Sequence, residues 1–438
     1  MRGLRSTLVL ILVLGGLVAY IYFVDANKPA SGTDAAKDKP FTVATDQIEE
    51  FQLKSESGET SRVQKAGEAW KLVEPEATEA DTTAMTTLAS QLTSVEIQRV
   101  VDESPTDLAQ YGLNPPRIDV GFRLKGEKDF RHLLVGGKTP TGGDLYAKKP
   151  EETRVFLIPA YFESTLNKTP FDLRDKVVLK FEREKVDGLE VTRGGATTQF
   201  TRTGTAWGVA KPVALRADYA ALEGLVTRLS SLQMHKIIAP GATDLQQYGL
   251  DKPAFTVAVL SGSSRATLLI GKQGEDGLYA KDVSRPLIFT LEQTITEDLQ
   301  KDVAEYRRKD MFDSRSFTAN RIELRRGAET MTFEKTKSSD GKEAWKNATG
   351  TDVELAKVED LLAKFSNMRA QSFEPAANPA LKTPVLTATV RFDENKTETV
   401  TFARAGAEVL GSRADEPGTA KLEAPLFDET IKVLDTLK

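Results

Sequence analysis

The strongest constraint on how this 438-residue chain folds is that it repeats itself. Its only tryptophans, Trp70, Trp207 and Trp345, lie 137 and 138 residues apart. Self-similarity at a fixed interval means one folding unit used several times, so the fold has to be read per copy. Each Trp ends a glycine-punctuated run of alternating strand character. The runs open with Ile48 to Leu53, Leu189 to Thr192 and Ile322 to Leu324, and they turn at Gly58, Gly194-Gly195 and Gly327. This pattern predicts a meander of about three short strands in each copy.

After each Trp the period changes. Met85, Leu88, Leu92 and Val95 share the offsets i, i+3, i+7 and i+10 with Leu222, Leu225, Leu229 and Leu232, and again with Val358, Leu361, Phe365 and Met368. Such an apolar stripe predicts an amphipathic helix lying on the core. Asp81 and Asp218 precede the first two helices at matching distance and are candidate N-caps, because their side chains can accept from otherwise unpaired amides.

The second half of each copy repeats too. Tyr111-Gly112-Leu113-Asn114-Pro115-Pro116 returns as Tyr248-Gly249-Leu250-Asp251-Lys252-Pro253, whereas the third copy keeps only Leu381 and Pro384. Leu133-Leu134-Val135-Gly136 matches Leu268-Leu269-Ile270-Gly271, and Leu145-Tyr146-Ala147-Lys148 matches Leu278-Tyr279-Ala280-Lys281. Short strands ending in a helix are expected near 161–167, 291–300 and 427–437. Modules at 41–178, 179–313 and 314–438 follow, each large enough for its own core. The expected class is α+β, with mostly antiparallel strands and about two helices per module.

Ahead of the repeats, Thr7 to Val24 carries no charge over 18 residues. At about 1.5 Å per residue a helix of that length nearly matches a hydrocarbon core. Arg2 and Arg5 precede it and no Lys or Arg follows until Lys28, so the positive-inside rule places residues 1–6 in the cytoplasm and the modules outside. Tyr20, Tyr22 and Phe23 suit an aromatic belt. A cleaved signal peptide is the rival reading: it would carry small residues at the cut, where bulky ones stand here, although Val24-Asp25-Ala26 would admit one. Residues 25–40 are small, polar and Pro-containing, the composition of a flexible tether. The expectation is a single-pass protein of the bacterial inner membrane.

Composition narrows the function. With 40% hydrophobic and 28% charged residues the chain is ordinary globular material. A net charge of -5, from 59 basic against 64 acidic residues, gives no excess to neutralise a phosphate backbone, so nucleic acid is not an expected partner. The absence of cysteine removes disulfides, thiolate metal sites and catalytic thiols.

Few residues look like reaction chemistry. His132 aligns with Thr267 and Thr401, and His235 with Gln98 and Gln371, so no histidine is common to the copies and each reads as a solvated face residue. Gly136-Gly137-Lys138-Thr139 ends like a phosphate-binding loop, but such a loop needs Gly where His132 stands, and Gly271-Lys272-Gln273 lacks the hydroxyl. A glycine turn leaving a strand is the better account. Ser261-Gly262-Ser263-Ser264 reads as a loop between strands rather than a nucleophile elbow. Carboxylates could still pair in three dimensions. The runs Arg174-Asp175-Lys176 and Arg307-Arg308-Lys309-Asp310 recur at the module ends, as ion pairs between strands or modules, or as a docking patch. No catalytic, cofactor-binding or metal residue is assigned, and no cofactor is expected.

The span, the tandem modules, the Tyr-Gly-Leu-x-x-Pro turn and the Arg-Asp-Lys junction together resemble a bacterial family defined by a repeated domain of unknown function, catalogued as forty-three forty. The resemblance implies an envelope protein often encoded beside gliding-motility-type ABC transporter components and their auxiliary membrane subunit. It transfers no catalytic residue. The expected function is a non-enzymatic, membrane-anchored binding or scaffold protein whose partners are the bilayer and a transporter permease or auxiliary subunit. The alternatives are modules that bind an envelope polymer or solute in clefts, and a carboxylate-dependent envelope hydrolase.

Overall fold

The computed structural model describes residues 38–241, 244–337, 341–393 and 395–437. The expected cytoplasmic segment 1–6, the span 7–24 and the tether as far as residue 37 lie outside the described residues. Among those described, no helix is long and apolar enough to cross a membrane. The chain divides into two compact units, one ending at Asp175 and one running Lys176–Lys438.

The first unit contains a meander of β1 (Ile48–Lys54), β2 (Thr60–Ala66), β3 (Ala69–Glu74) and β4 (Thr78–Glu79). Helix α1 (Thr82–Ser94) leads to β5 (Arg99–Asp102). A second meander follows, of β6 (Ile118–Leu124), β7 (Arg131–Lys138), β8 (Asp144–Lys148) and β9 (Val155–Pro159). Two single-turn helices, α2 (Glu163–Leu166) and α3 (Pro170–Leu173), close the unit. One sheet results, in the order β4-β3-β2-β1-β6-β7-β8-β9-β5. Every pairing in it is antiparallel.

The second unit holds two more sheets built the same way. The first of these has β10–β13 (Gly188–Arg193, Ala196–Thr203, Ala206–Lys211, Leu215–Arg216), α4 (Tyr219–Ser231), β14 (Lys236–Ala239) and β15–β18 (Phe255–Ser261, Ser264–Gly274, Gly277–Asp282, Ile288–Leu291). Helices α5 (Ile295–Leu299) and α6 (Val303–Tyr306) follow. The other has β19–β22 (Ala319–Arg326, Glu329–Lys337, Glu343–Asn347, Asp352–Val353), α7 (Leu355–Asn367), β23 (Ala370–Glu374), β24–β27 (Leu386–Phe392, Lys396–Ala405, Glu408–Arg413, Thr419–Leu422) and α8 (Ala424–Asp435). Strand order is the same in all three sheets. The class is α+β, with three nine-stranded antiparallel sheets.

Local chemistry explains the elements. The Asp81 carboxylate accepts from the amides of Thr83 and Ala84 at 2.9 and 3.0 Å, and Asp218 accepts from Ala221 at 2.9 Å, which starts α1 and α4. Met85, Leu88, Leu92 and Val95 are fully buried on the first sheet, as the stripe requires. In the third sheet Phe312, Phe365 and Phe402 stack with centroids 4.8 to 6.5 Å apart. Each fully buried side chain of this size contributes about 1.5–3 kcal/mol.

The structure departs from expectation in three places. The leading meander has four strands, because a two-residue strand such as β4 is too short to show an alternating pattern. The terminal helix is broken into single turns in the first two copies and is continuous only as α8. Residues 38–40, expected in the tether, are bound to the fold: the Ile97 amide donates to the Asp38 carbonyl at 2.7 Å, and Pro40 is buried.

The ends of the modules run along sheet edges. In the first unit Asp81 donates to the Leu173 carbonyl at 2.8 Å and Asp175 donates to Glu79 at 3.0 Å, so Leu173–Asp175 extends the sheet beyond β4. In the second unit the corresponding pair is Asp218 to Tyr306 at 2.7 Å and Arg308 to Arg216 at 2.9 Å. That same segment continues along the third sheet, where Met311 donates to Met368 at 2.9 Å and Ala370 donates to Lys309 at 2.8 Å. Residues 306–311 are therefore hydrogen-bonded to two sheets at once.

Candidate interaction site at the joint between the second and third sheets

The repeated motifs are consumed by packing. A Cβ at Gly136 would lie 2.1 Å from the Tyr111 carbonyl oxygen, and one at Gly271 would lie 2.2 Å from that of Tyr248. Only glycine lets the Tyr-Gly-Leu turn press so closely on the strand. Gly136-Gly137 is accordingly inside β7, at a bulge between Val135 and Lys138, and not in a turn leaving the strand. Lys138 is engaged by Glu163 at 2.6 Å, and Arg117 reaches the same carboxylate at 2.8 Å. The hydrogen bond from Lys138, opposed by burial, holds the Glu163 carboxyl below its usual value. Gly262 and Ser263 form the two-residue link between β15 and β16, as the sequence implied.

His132 is less bland than its sequence context suggests. Its Nδ1 lies 2.7 Å from the Asp119 carboxylate, with both side chains about three-tenths exposed. That hydrogen bond raises its pKa above the ordinary value, against partial burial. The pairing of β24 with β25 makes Thr399, not Thr401, its counterpart in the third sheet, two residues from the position that the sequence spacing gave. His235 is exposed, with its amide bonded to Thr290 at 2.8 Å. Among the described residues no group of three or more His, Asp and Glu side chains is disposed to hold a metal ion.

A dense polar constellation surrounds the shared segment 306–311. Glu416 is almost fully buried and accepts from the Arg216 amide at 2.7 Å, from Arg216 Nε at 2.8 Å and from Arg307 Nη2 at 2.9 Å. Arg216 also binds Asp313 at 2.7 Å and the Asp310 carbonyl at 2.7 Å. The Arg307 guanidinium lies 3.8 Å over the Phe373 ring, a cation–π contact strengthened by exclusion of water. Below it, Glu398 accepts from the Asp313 and Ser314 amides at 2.7 and 2.8 Å and from Arg413 at 2.9 Å. Arg413 also donates to the Met311 carbonyl and to Asp415, at 2.7 and 2.8 Å. Burial alone would lower the Arg413 pKa, but its bonds to Asp415 and Glu398 win and raise it. Burial would likewise lift the Asp415 carboxyl, and Arg413 overrides it and holds it low.

The charge run at this junction thus resolves into ion pairs that join two modules. Arg307 is visible in the sequence as part of a basic run; Glu416, its distant partner, is not. A groove of about 320 Å³ opens beside the cluster, lined by Thr201, Trp207, Arg216, Asp415 and Glu416 among others. Glu416 is saturated by hydrogen bonds from two arginines and an amide, so the arrangement suits holding a joint or a polar ligand.

The fold and this joint define a tandem-repeat α+β protein whose second and third sheets share one extended segment. The chain belongs to the family described as "Domain of unknown function (DUF4340)", which matches at residues 18–101, 70–208 and 207–384. No curated protein matches the sequence. Among solved structures, a DNA polymerase sliding clamp from Pseudomonas aeruginosa with ligand is 8% identical over 88% of this chain and 92% of that one, at a TM-score of 0.14. A second crystal structure of the clamp from the same organism is 9% identical over 86% and 91%, at 0.15. At those scores the likeness does not amount to a shared fold.

Proposed function

We propose that this protein is a non-enzymatic, membrane-anchored binding or scaffold protein of the bacterial envelope, presenting its modules outside the cytoplasm. The observation that carries this reading is the segment 306–311, hydrogen-bonded to two sheets and locked by Glu416 and Arg307. A hinged pair of catalytic domains needs freedom at the joint, whereas a scaffold needs fixed spacing. The charge-free stretch Thr7 to Val24 supplies the anchor in this reading, with the N-terminus in the cytoplasm. The partner class is a permease or auxiliary membrane subunit of an ABC-type exporter, the company that the family resemblance implies. Affinity purification of the full chain from solubilised membranes should recover such a subunit; repeated recovery of the protein alone would overturn the proposal.

A second reading rests on the groove beside Trp207. Its flanking charges suit a polar polymer or solute. Soluble cell-wall fragments that quench Trp207 fluorescence in a saturable way would favour it.

A further inference from the structure

The three sheets share one strand order, so their edges can be compared position by position. Ala80, Ala217 and Val353 are equivalent, because each lies opposite the module tryptophan. On the first two edges an extended segment of the chain itself lies antiparallel, with an arginine at its centre: Leu173-Arg174-Asp175 opposite Ala80 and Tyr306-Arg307-Arg308 opposite Ala217. Each segment uses the same two backbone groups of the edge, the amide of Asp81 or Asp218 and the carbonyl of Glu79 or Arg216. Both central arginines are buried and bound to a carboxylate, Arg174 to Glu76 at 2.7 Å and Arg307 to Glu416 at 2.9 Å.

On the third edge the equivalent groups are the Glu354 amide and the Asp352 carbonyl. Among the described residues, no backbone hydrogen bond or bridge engages either of them across that edge. Asp352 and Glu354 are exposed and acidic. Among the described residues their ion-pair partners are Lys346 at 3.9 Å and Lys357 at 2.9 Å. Exposed pairs of this kind are worth under about 1 kcal/mol and yield readily to a competing guanidinium. An open edge with a matched donor and acceptor is a template for an added strand.

We propose that the edge of β22 accepts an extended, arginine-centred segment of a partner protein as one more antiparallel strand, in the register that Arg174 and Arg307 occupy on the other two sheets. The acidic edge selects a basic segment, and the precedent of the other copies sets its form: an apolar residue, an arginine, then a polar residue. This deepens the binding reading above, and the two fail separately, since a transporter subunit could be recovered through the anchor while this edge stays empty.

The test uses the full-length protein with two labelled peptides, residues 171–178 and 304–312 of this chain, followed by fluorescence anisotropy. Saturable binding is expected, weakened at least tenfold when the central arginine becomes alanine. Against Glu354→Gln, which loses the edge carboxylate alone, Glu354→Pro also removes the amide donor, at a residue whose φ is already -56° and whose side chain makes no cap bond. That variant should also lose at least tenfold. In the unmodified protein, added peptide should slow hydrogen exchange at the Glu354 amide. Failure of both peptides to bind, or binding that Glu354→Pro and amide exchange leave untouched, would overturn the proposal. Concentration-dependent self-association abolished by Glu354→Pro would do so as well, by making the occupant a second copy.

Discussion

Ala403 occupies the place that Gly136 and Gly271 hold in the other two sheets, and the exchange follows from what stands opposite. Where a tyrosine carbonyl presses on the strand there is no room for a methyl group; the third copy puts the turn Pro379–Lys382 there instead and tolerates one. Gly136→Ala should therefore destabilise the first unit by about 1–3 kcal/mol, read from urea denaturation. Gly224→Ala, in an exposed helical position where a Cβ meets nothing within 4 Å, should stabilise by roughly 0.5–1 kcal/mol. His132 makes a different kind of statement. Because Asp119 raises its folded-state pKa, folding favours the protonated imidazole. Its contribution is complete below the unfolded value of about 6.5 and is lost as pH rises through the folded value. Denaturation midpoints across that window should flatten in His132→Gln, and an unchanged slope would remove the pair from the account.

Among the elements, those with a period of their own were readable. The i, i+3, i+7, i+10 stripes gave α1, α4 and α7, and the two aspartate caps lie where the spacing put them. Asp81→Ala should cost about 1 kcal/mol, while Glu354→Ala, which removes no side-chain cap, should cost little; thermal melts of the two variants check this. What stayed hidden was sequence-distant or short. Nothing local to Arg99–Asp102 says that β5 crosses to the far edge to pair with β9, because that choice is made by the path of α1 over the sheet. The two-residue strands β4, β13 and β22 are defined by their neighbours alone. The joint was half visible: Arg307 announced itself in a charge run, but Glu416 lies 109 residues away and looks like any surface acid.

At the scale of the molecule, the second and third sheets share an extended segment and a buried ionic cluster, so they should unfold together. Glu416→Ala leaves Arg307 and Arg216 without their common carboxylate, and removing one partner of a buried pair costs about 3–5 kcal/mol. Hydrogen exchange of residues 306–311 should accelerate in that variant while the first unit keeps its protection; uniform exchange across the chain would contradict the assignment. Acid should loosen the same joint. The Asp415 carboxyl is held low in the fold, so its contribution is present above the unfolded value near about 3.9 and disappears as pH falls through the folded one. The double bonding of residues 306–311 also has a mechanical side. Tension applied along that segment must slide it past two neighbours together, loading its four backbone bonds in shear instead of peeling them singly. A load carried through this seam is thus borne by both sheets together.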